Sequence, residues 1–394
     1  MRASRSPGAL GILVALIPIA LVLGIFLGGH PSTLPGFARD ALVNDSDGRL
    51  YEEAMDTIER DYYRKIDRKQ LLNTSLSSAV ESLQDQFSHY FSPKDYAAFE
   101  LDTEGQFEGV GMSVTEVKEG LRVEEVYDDS PAKSAGLKVG NIITSVNGKP
   151  LAGKTSDQAT TLIKGPAGSP VTLGLKDGRK LTMKRAKVDI PIVQSEMKRE
   201  GGEKIAWVRL AGFTSGSGED VKKAVKDELG KGAQGVVLDL RHNGGGLLNE
   251  AVSVASVFLE DGRVVSTKGR ARPERAYNAE GGAIKSSIPV VVLVDEASAS
   301  ASEIVTGALQ DRKRAKVVGT RTFGKGVFQE IERLPNGGAL DITVGEYFTP
   351  NGRNLGGGGV RKGAGITPDI KASDDPETPR DEALQKALDT VASG

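Results

Sequence analysis

Apolar runs of strand length alternate with helical stretches in the second half of this chain, and this alternation limits its fold more than any other feature. The apolar runs lie at 205–210, 236–240 and 289–294. Helical stretches follow them near 218–229, 247–259 and 301–310. Repeated strand–helix alternation of this kind produces a largely parallel sheet with helices on its faces. The pattern therefore predicts one α/β core over residues 188–372.

Two short motifs within this core contain residues suited to chemistry. Residues 298–303 read Ser-Ala-Ser-Ala-Ser-Glu, and residues 322–326 read Thr-Phe-Gly-Lys-Gly. A serine hydroxyl is a weak nucleophile until a base removes its proton, and a lysine can be that base when burial lowers its pKa. The pair therefore predicts a serine hydrolase that works without histidine. The alternative is an ordinary helix N-terminus followed by a solvated lysine in a glycine turn.

The stretch that contains both motifs resembles the active-site region of the carboxyl-terminal processing peptidases, also called tail-specific proteases. The similarity runs from Ser298 through residues 304–311 to the Gly-Lys-Gly turn and Gln329. It implies that the middle serine of the run, Ser300, is the nucleophile and that Lys325 is the base. It also implies that Gln329 completes the catalytic set. Ser300 would lie at the start of a helix, where a developing negative charge is stabilised.

A second segment, residues 235–248, matches the same family independently. It reads as a buried strand that ends in a loop with three consecutive glycines, where an oxyanion can approach backbone N–H groups. The resemblance implies that the N–H groups of Gly245 and Ala301 form an oxyanion hole. Gly244 stands where many family members have proline or serine, which predicts a less rigid loop.

Residues 105–187 change in character to short β-branched runs separated by glycine turns. Within them, residues 130–137 and 139–148 resemble a PDZ domain of the type that these peptidases carry. Asn141 replaces the aspartate that is common at its position, which predicts a changed local hydrogen bond in an unchanged fold.

A short segment upstream occupies the place of the loop that binds a peptide's terminal carboxylate in PDZ domains. Its residues are Gly109, Val110, Gly111 and Met112. The resemblance implies that backbone N–H groups of this loop hold the carboxylate and that Val110 and Met112 line an apolar pocket for the last side chain. The peptide would add as a strand to an open sheet edge. A closed PDZ domain that acts only as a spacer is the alternative.

Residues 1–30 predict a membrane segment. Arg2 and Arg5 precede an uncharged stretch at 7–29, which is long enough to cross a bilayer as a helix. A cleaved signal peptide and a retained anchor are the two interpretations. The absence of a clean cleavage site after the stretch favours a retained single-pass anchor. The positive N-terminus would then stay in the cytoplasm, and the catalytic part would lie on the periplasmic or cell-envelope side of the cell membrane.

The remaining segments complete the predicted architecture. Residues 31–46 read as a linker and residues 47–104 as an N-terminal helical region. Residues 373–394 read as a short, charged C-terminal tail that forms a peripheral helix with a frayed end. The resemblance implies that the α/β core is a ClpP/crotonase-like spiral of strand–helix units with an inserted PDZ domain.

Composition narrows the range of functions. The 394 residues carry a net charge of −2 with both signs well mixed, which argues against nucleic acid as a partner. The chain has no cysteine, so thiol catalysis and disulfides are excluded. Its three histidines lie far apart without metal-site spacing, so we expect neither a metal nor an organic cofactor. His242 alone lies near the predicted chemistry, and a conventional triad with His242 as the base stays open.

Four functions remain to be compared with the structure. The first is a serine endopeptidase with a Ser-Lys dyad, which binds the apolar C-terminal tails of protein substrates through its PDZ domain and cuts them. The second is a membrane-anchored PDZ adaptor with a degenerate core, and the third is a hydratase or thioesterase of crotonase-like type. The fourth, a metalloprotease, lacks metal ligands. The resemblance favours the first and leaves the natural substrate, a homo-oligomeric state and an adaptor protein open.

Overall fold

The computed structural model describes residues 46–375, 377–378 and 380–393. These residues divide into two compact units between Leu76 and Ser77. The predicted membrane anchor at 7–29 lies outside the described residues. Within the described ranges, no helix is long and apolar enough to cross a membrane.

The N-terminal unit contains helix α1 (Ser46–Asp61) and the first part of helix α2 (Arg68–Glu81). Arg68, at the start of α2, lies 2.7 Å from Asp56 and 2.8 Å from Glu59 of α1. All three side chains are exposed, so each ion pair stabilises the helix pair by at most about 1 kcal/mol.

The second unit continues from α2 to strand β1 (His89–Phe91) and helix α3 (Pro93–Thr103). Ser92 caps α3, because its hydroxyl accepts a hydrogen bond from the backbone N–H of Asp95 at 3.3 Å. Pro93 occupies the first turn, where its missing N–H costs nothing. The helices α1, α2 and α3 thus lie within the region predicted to be helical.

A small β-rich domain follows. Its elements are β2 (Gln106–Gly109), β3 (Met112–Val117), β4 (Gly120–Val126), α4 (Pro131–Ser134), β5 (Ile142–Val146), β6 (Lys149–Pro150), α5 (Ser156–Ile163), β7 (Pro170–Leu175), β8 (Lys180–Lys184) and β9 (Ala186–Asp189). Its antiparallel sheet has the strand order β3-β4-β5-β7-β8, with β6 paired to β5, and β2 pairs separately with β9. Leu121, Val123, Ile143 and Leu173 are fully buried in its core. Strand β3 therefore forms one edge of this sheet.

The α/β core and its second sheet contain the remaining elements. They are β10 (Val193–Glu200), β11 (Glu203–Leu210), α6 (Ser217–Gly230), β12 (Gly235–Asp239), α7 (Leu248–Ser256), β13 (Arg263–Lys268), β14 (Arg275–Asn278), β15 (Val290–Val294), α8 (Ala301–Asp311), β16 (Lys316–Gly319), β17 (Val327–Arg333), β18 (Ala339–Phe348), β19 (Ile370–Lys371) and α9 (Glu382–Ala392).

The main sheet of the core has the order β10-β11-β12-β15-β16-β19. Strand β10 runs antiparallel to β11, and the other pairs are parallel. Every residue of β12 and β15 is buried, as expected in the middle of a parallel sheet that is covered on both faces. Helices α6, α7 and α8 cover one face, and α9 covers the other. The predicted α/β core is confirmed.

The C-terminal segment contains the predicted helix, but this helix is not peripheral. Ala387 of α9 is fully buried, and Ala383, Leu388 and Val391 are nearly so. These residues pack against strand residues that include Val237. Their spacing is that of one helical face, but the charged residues around them obscured this signal. The helix α9 is therefore an integral layer of the core.

A second sheet has the order β1-β18-β13-β14, with β17 also paired to β18. Strand β18 therefore brings together β1, from the start of the second unit, and β17, which begins just after Lys325. This arrangement places the segment that precedes β1 close to the predicted base.

A partly buried ion cluster fastens α9 to the end of strand β12. The Arg241 guanidinium lies 2.7 Å from the carboxylate of Asp239 and 2.8 Å from that of Asp381. Asp239 is 1% exposed and also accepts a hydrogen bond from the indole N–H of Trp207 at 3.1 Å. Asp381 caps α9, since its carboxylate accepts the Leu384 N–H. These ion pairs hold Arg241 in place at the start of the glycine loop.

Replacing Arg241 tests this anchor. Arg241→Ala leaves the buried Asp239 carboxylate without its cation, so we expect the free energy of unfolding to fall by about 3–5 kcal/mol. Urea unfolding measures this change. Asp381→Asn is the matched control, because asparagine keeps the helix cap and Asp381 is 44% exposed. Equal losses for the two variants would show that Asp239 does not depend on Arg241.

Candidate active site

Ser300 lies in the tight turn between strand β15 and helix α8. Its backbone has φ 57° and ψ −115°, a conformation that non-glycine residues rarely adopt. Such a conformation costs about 1–3 kcal/mol and persists only where the surroundings impose it. A strained serine between a strand and a helix is the geometry by which other hydrolases present a nucleophile.

Hydrogen bonds hold this turn against the glycine loop. The hydroxyl of Ser298 donates to the carbonyl of Leu240 at 2.8 Å, and the N–H of Ala299 donates to the carbonyl of Asn243 at 3.1 Å. Ser302 donates to the same Asn243 carbonyl at 2.8 Å. The serines on either side of Ser300 in the Ser-Ala-Ser-Ala-Ser run are therefore structural residues.

The glycine loop approaches the nucleophile so closely that a side chain is excluded at one position. A Cβ atom added to Gly245 would lie 2.8 Å from Cβ of Ser300 and 2.9 Å from the Ala299 carbonyl. Gly245 also has φ +107°. A Cβ atom on Gly244 would meet open space, so this position has room for a side chain.

The two predicted oxyanion donors differ in whether their N–H group already has a hydrogen-bond acceptor. The N–H of Gly245 donates to the side-chain oxygen of Asn243 at 2.9 Å, so in this arrangement it is occupied. Asn243 is fully buried and donates in turn to the carbonyl of Leu210. For the N–H of Ala301, no acceptor occurs within the described part of the chain. The role of Gly245 as a donor stays a prediction, and it requires the Asn243 side chain to give way.

Glu303 joins the predicted nucleophile to the predicted base, and the sequence did not indicate this role. One carboxylate oxygen accepts the N–H groups of Ser300 and Lys325, each at 2.9 Å. The other accepts the Gly324 N–H at 2.8 Å and the Thr322 hydroxyl at 2.6 Å. Glu303 is fully buried, and burial raises its pKa while these four hydrogen bonds oppose the rise. The Ser-x-x-Glu spacing of a capping box signals the Ser300 contact alone.

Lys325 is a partly buried lysine with a specific partner. Its amine donates to the side-chain oxygen of Gln329 at 2.8 Å and lies 4.5 Å from the centroid of the Phe87 ring. Burial lowers the pKa of Lys325, while the carboxylates of Asp341, Asp85 and Glu303 act in the opposite direction. A lowered pKa is what a lysine needs to act as a base near neutral pH.

The hydroxyl of Ser300 has a partner that the sequence did not indicate. Its oxygen lies 2.8 Å from the hydroxyl oxygen of Tyr347, which is on β18 and only 3% exposed. Burial raises the pKa of Tyr347, so this hydroxyl keeps its proton. Among the described residues, no hydrogen bond joins Ser300 to Lys325, and the two are connected through Glu303.

His242 does not complete a triad in this structure. Its Nδ1 lies 2.9 Å from the Asp295 carboxylate, and its side chain is 75% exposed. Its backbone N–H also donates to Asp295. Neither His242 nor Lys325 has a hydrogen bond to the Ser300 hydroxyl within the described ranges, so burial is what separates the two predicted bases: His242 is largely exposed, and Lys325 is partly buried.

The predicted peptide-binding loop lies between β2 and β3, and one of its residues is wrongly assigned. Val110 is 1% exposed and belongs to the core of the β-rich domain, so its side chain does not line an open pocket. Gly111 has φ +82°, and a Cβ atom there would lie 2.3 Å from Cβ of Ser130. Gly109 ends β2, and Met112 starts the edge strand β3 and is half-buried. Helix α5 lies beside this edge.

The fold and this site define a serine-type hydrolase with an attached β-rich domain. Two family patterns match the chain: peptidase family S41 over residues 204–372 and the PDZ domain over residues 122–177.

Relatives agree with these matches. The chain is 34% identical over 365 residues to a carboxy-terminal-processing protease from Bartonella bacilliformis, covering 89% of this chain and 81% of the relative. It is 31% identical to a CtpA-like serine protease from Staphylococcus haemolyticus, covering 91% of this chain and 70% of the relative. Among solved structures, a photosystem II D1 C-terminal processing protease matches with a TM-score of 0.50 and 29% identity, over 88% of this chain and 97% of that one.

This chain therefore belongs to the S41 family of C-terminal processing serine proteases and carries their PDZ domain.

Replacing the bridging carboxylate tests its role. Glu303→Gln exchanges one acceptor oxygen for an NH₂ group that faces two donors, which costs about 1–3 kcal/mol for each unsatisfied donor. We expect kcat/KM to fall about 100-fold, because the nucleophile and base lose their common support. Peptide cleavage and thermal unfolding measure the two effects. Glu296→Gln, at an exposed position in the same loop, is the control; similar activity in both variants would contradict the bridge.

Proposed function

We propose that this protein is an endopeptidase in which Ser300 attacks the scissile carbonyl and Lys325 is the base. The observation that carries this proposal is the Glu303 carboxylate, which binds the backbones of both residues at once. The lowered pKa of Lys325 supports the same assignment, because burial disfavours its charged form. Gln329 holds the amine at 2.8 Å and completes the set.

The proposed reaction begins at the Ser300 hydroxyl. Neutral Lys325 takes the proton of the Ser300 hydroxyl while the serine oxygen accepts a hydrogen bond from Tyr347. The serine oxygen bonds to the substrate carbonyl carbon, and the oxyanion that forms is stabilised by the Ala301 N–H and by the Gly245 N–H once Asn243 releases it. Protonated Lys325 gives its proton to the leaving amine as the C–N bond breaks. The same lysine then takes a proton from the water that attacks the acyl-enzyme, and it returns this proton to the Ser300 oxygen as the ester C–O bond breaks.

The PDZ domain supplies substrate selection in this proposal. Strand β3 is the edge of its sheet, so an extended peptide can add to it through backbone hydrogen bonds. The loop at Gly111 and Met112 would hold the terminal carboxylate at the start of that strand. Apolar C-terminal tails of protein substrates are the expected ligands, and the curated relatives are named for processing at that end.

The location of the peptidase in the cell is a further part of the proposal. A retained anchor at residues 7–29 would place the peptidase on the extracytoplasmic side of the cell membrane. No metal or organic cofactor is part of this proposal. An adaptor with an inactive core is less favoured, because Ser300, Lys325 and Gln329 are all present and connected.

Substitution of the dyad and the pH dependence of cleavage test the mechanism together. Ser300→Ala and Lys325→Ala should each abolish peptide cleavage, while circular dichroism shows that each variant stays folded.

In the parent protein, kcat/KM should rise with pH through the lowered pKa of Lys325 and stay high on the alkaline side, because the base acts when neutral. Activity retained in Lys325→Ala but lost in His242→Ala would replace the dyad with a triad.

Tail recognition needs matched substrates. A protein substrate with a free apolar C-terminus should be cut faster than the same substrate with an amidated end or a terminal aspartate, since amidation removes the charge that the loop binds. Met112→Asp should reduce this difference by repelling the carboxylate, and Val139→Asp, at a 63% exposed site in the same domain, should not. Cleavage of a short peptide without the tail reports the intact catalytic site. Equal rates for free and amidated ends in the parent would leave the PDZ domain as a spacer.

A further inference from the structure

The amine of Lys325 contacts a segment that precedes the PDZ domain in the sequence, whereas Lys325 itself follows that domain. The ring of Phe87 lies 4.5 Å from the amine, and Phe87 is held in turn because its N–H donates to the carboxylate of Asp85 at 3.1 Å. Helix α2 ends at Glu81, so this segment directly follows the N-terminal helices. Its side chains belong to the site geometrically, although the mechanism above does not use them.

A chain of hydrogen bonds runs from the base to this segment. Lys325 donates to the oxygen of Gln329 at 2.8 Å, and the amide nitrogen of Gln329 donates to the hydroxyl of Thr343 at 2.9 Å. The Thr343 side chain also interacts with the carboxylate of Asp85 and favours its charged form. An ionised carboxylate can only accept, so Thr343 donates to Asp85 and accepts from Gln329.

A second contact clamps the same point of strand β18. The hydroxyl of Ser88 donates to Asp85 at 2.6 Å and accepts the backbone N–H of Thr343 at 3.0 Å. Ser88 is 6% exposed, so these bonds are shielded from water. Asp85 therefore fixes both the backbone and the hydroxyl of Thr343.

This chain determines which way the Gln329 amide faces. An amide presents an acceptor on one side and donors on the other. Because the Thr343 proton is committed to Asp85, Thr343 offers an acceptor to Gln329, and the NH₂ group of Gln329 turns toward it. The amide oxygen then faces Lys325, where it accepts one N–H of the amine. With that N–H fixed, the amine no longer rotates freely, and the lone pair of neutral Lys325 is limited to the two remaining staggered positions.

We propose that Asp85 and Thr343 are positioning residues for the catalytic base, so that the segment after α2 is a working part of the peptidase site. This inference rests on the proposed role of Lys325. The charged groups that face Lys325 are Asp85, Asp341 on β18 and Glu303 on α8, and His89 on β1 lies near both aspartates. Asp85 thus acts on the base through its charge as well as through the hydrogen-bonded chain.

Three variants separate these two actions. Thr343→Val keeps the shape and removes the hydroxyl, so we expect the alkaline plateau of kcat to fall by about 10-fold or more with KM unchanged. Thr343→Ser restores the hydroxyl and should recover most of the activity. Asp85→Asn removes a negative charge that favours protonated Lys325, so the rising limb of the pH profile should move to lower pH, in addition to a lower plateau. Asp95→Asn, in the nearby cap of α3, is the control and should match the parent.

The measurements are the pH profile of peptide cleavage and the rate at which a small sulfonyl fluoride modifies Ser300, with thermal unfolding to confirm that each variant folds. The sulfonyl fluoride needs no tail recognition, so a fall in its rate places the defect at the dyad. If Thr343→Val and Asp85→Asn both match the parent in plateau and rising limb, while Lys325→Ala is inactive, the positioning role is wrong and the proposed dyad stands. If Lys325→Ala keeps its activity, the dyad and the positioning role are both overturned.

Discussion

The buried carboxylate of Glu303 is the interaction on which the site depends. A carboxylate is stable away from water only when its oxygens are fully hydrogen-bonded, and Glu303 meets this requirement with four donors. Two of these donors are the backbone N–H groups of Ser300 and Lys325. The need to satisfy one buried charge therefore holds together a helix N-terminus and a glycine turn that are separate in the sequence. The strained backbone of Ser300 is maintained by the same contacts.

The sequence predicted the core well because its signals are local and periodic. Strands β12 and β15 are continuous apolar runs, and helices α6, α7 and α8 follow strands at the predicted places. Ser300, Lys325 and Gln329 are assigned by motif, and the structure connects all three. Gly245 is explained by a contact that only a missing side chain permits.

What the sequence did not predict depends on contacts between distant residues. Tyr347 contacts Ser300 because it lies on β18, a strand of the second sheet, and no sequence motif predicts that contact. Val110 was assigned to a pocket because of its place in a loop, yet its side chain turns into the domain core. The buried face of α9 was hidden by surrounding charge. In each case the direction of a side chain is set by tertiary packing, which single-sequence patterns do not record.

The position of α9 has a consequence for a chain that is cut just before this helix. The helix covers one face of the main sheet and is fastened beside the glycine loop through Arg241. A chain without α9 exposes that apolar face and loses the Asp381 partner of Arg241. A single cut at this connection therefore removes a layer of the core together with support for the glycine loop.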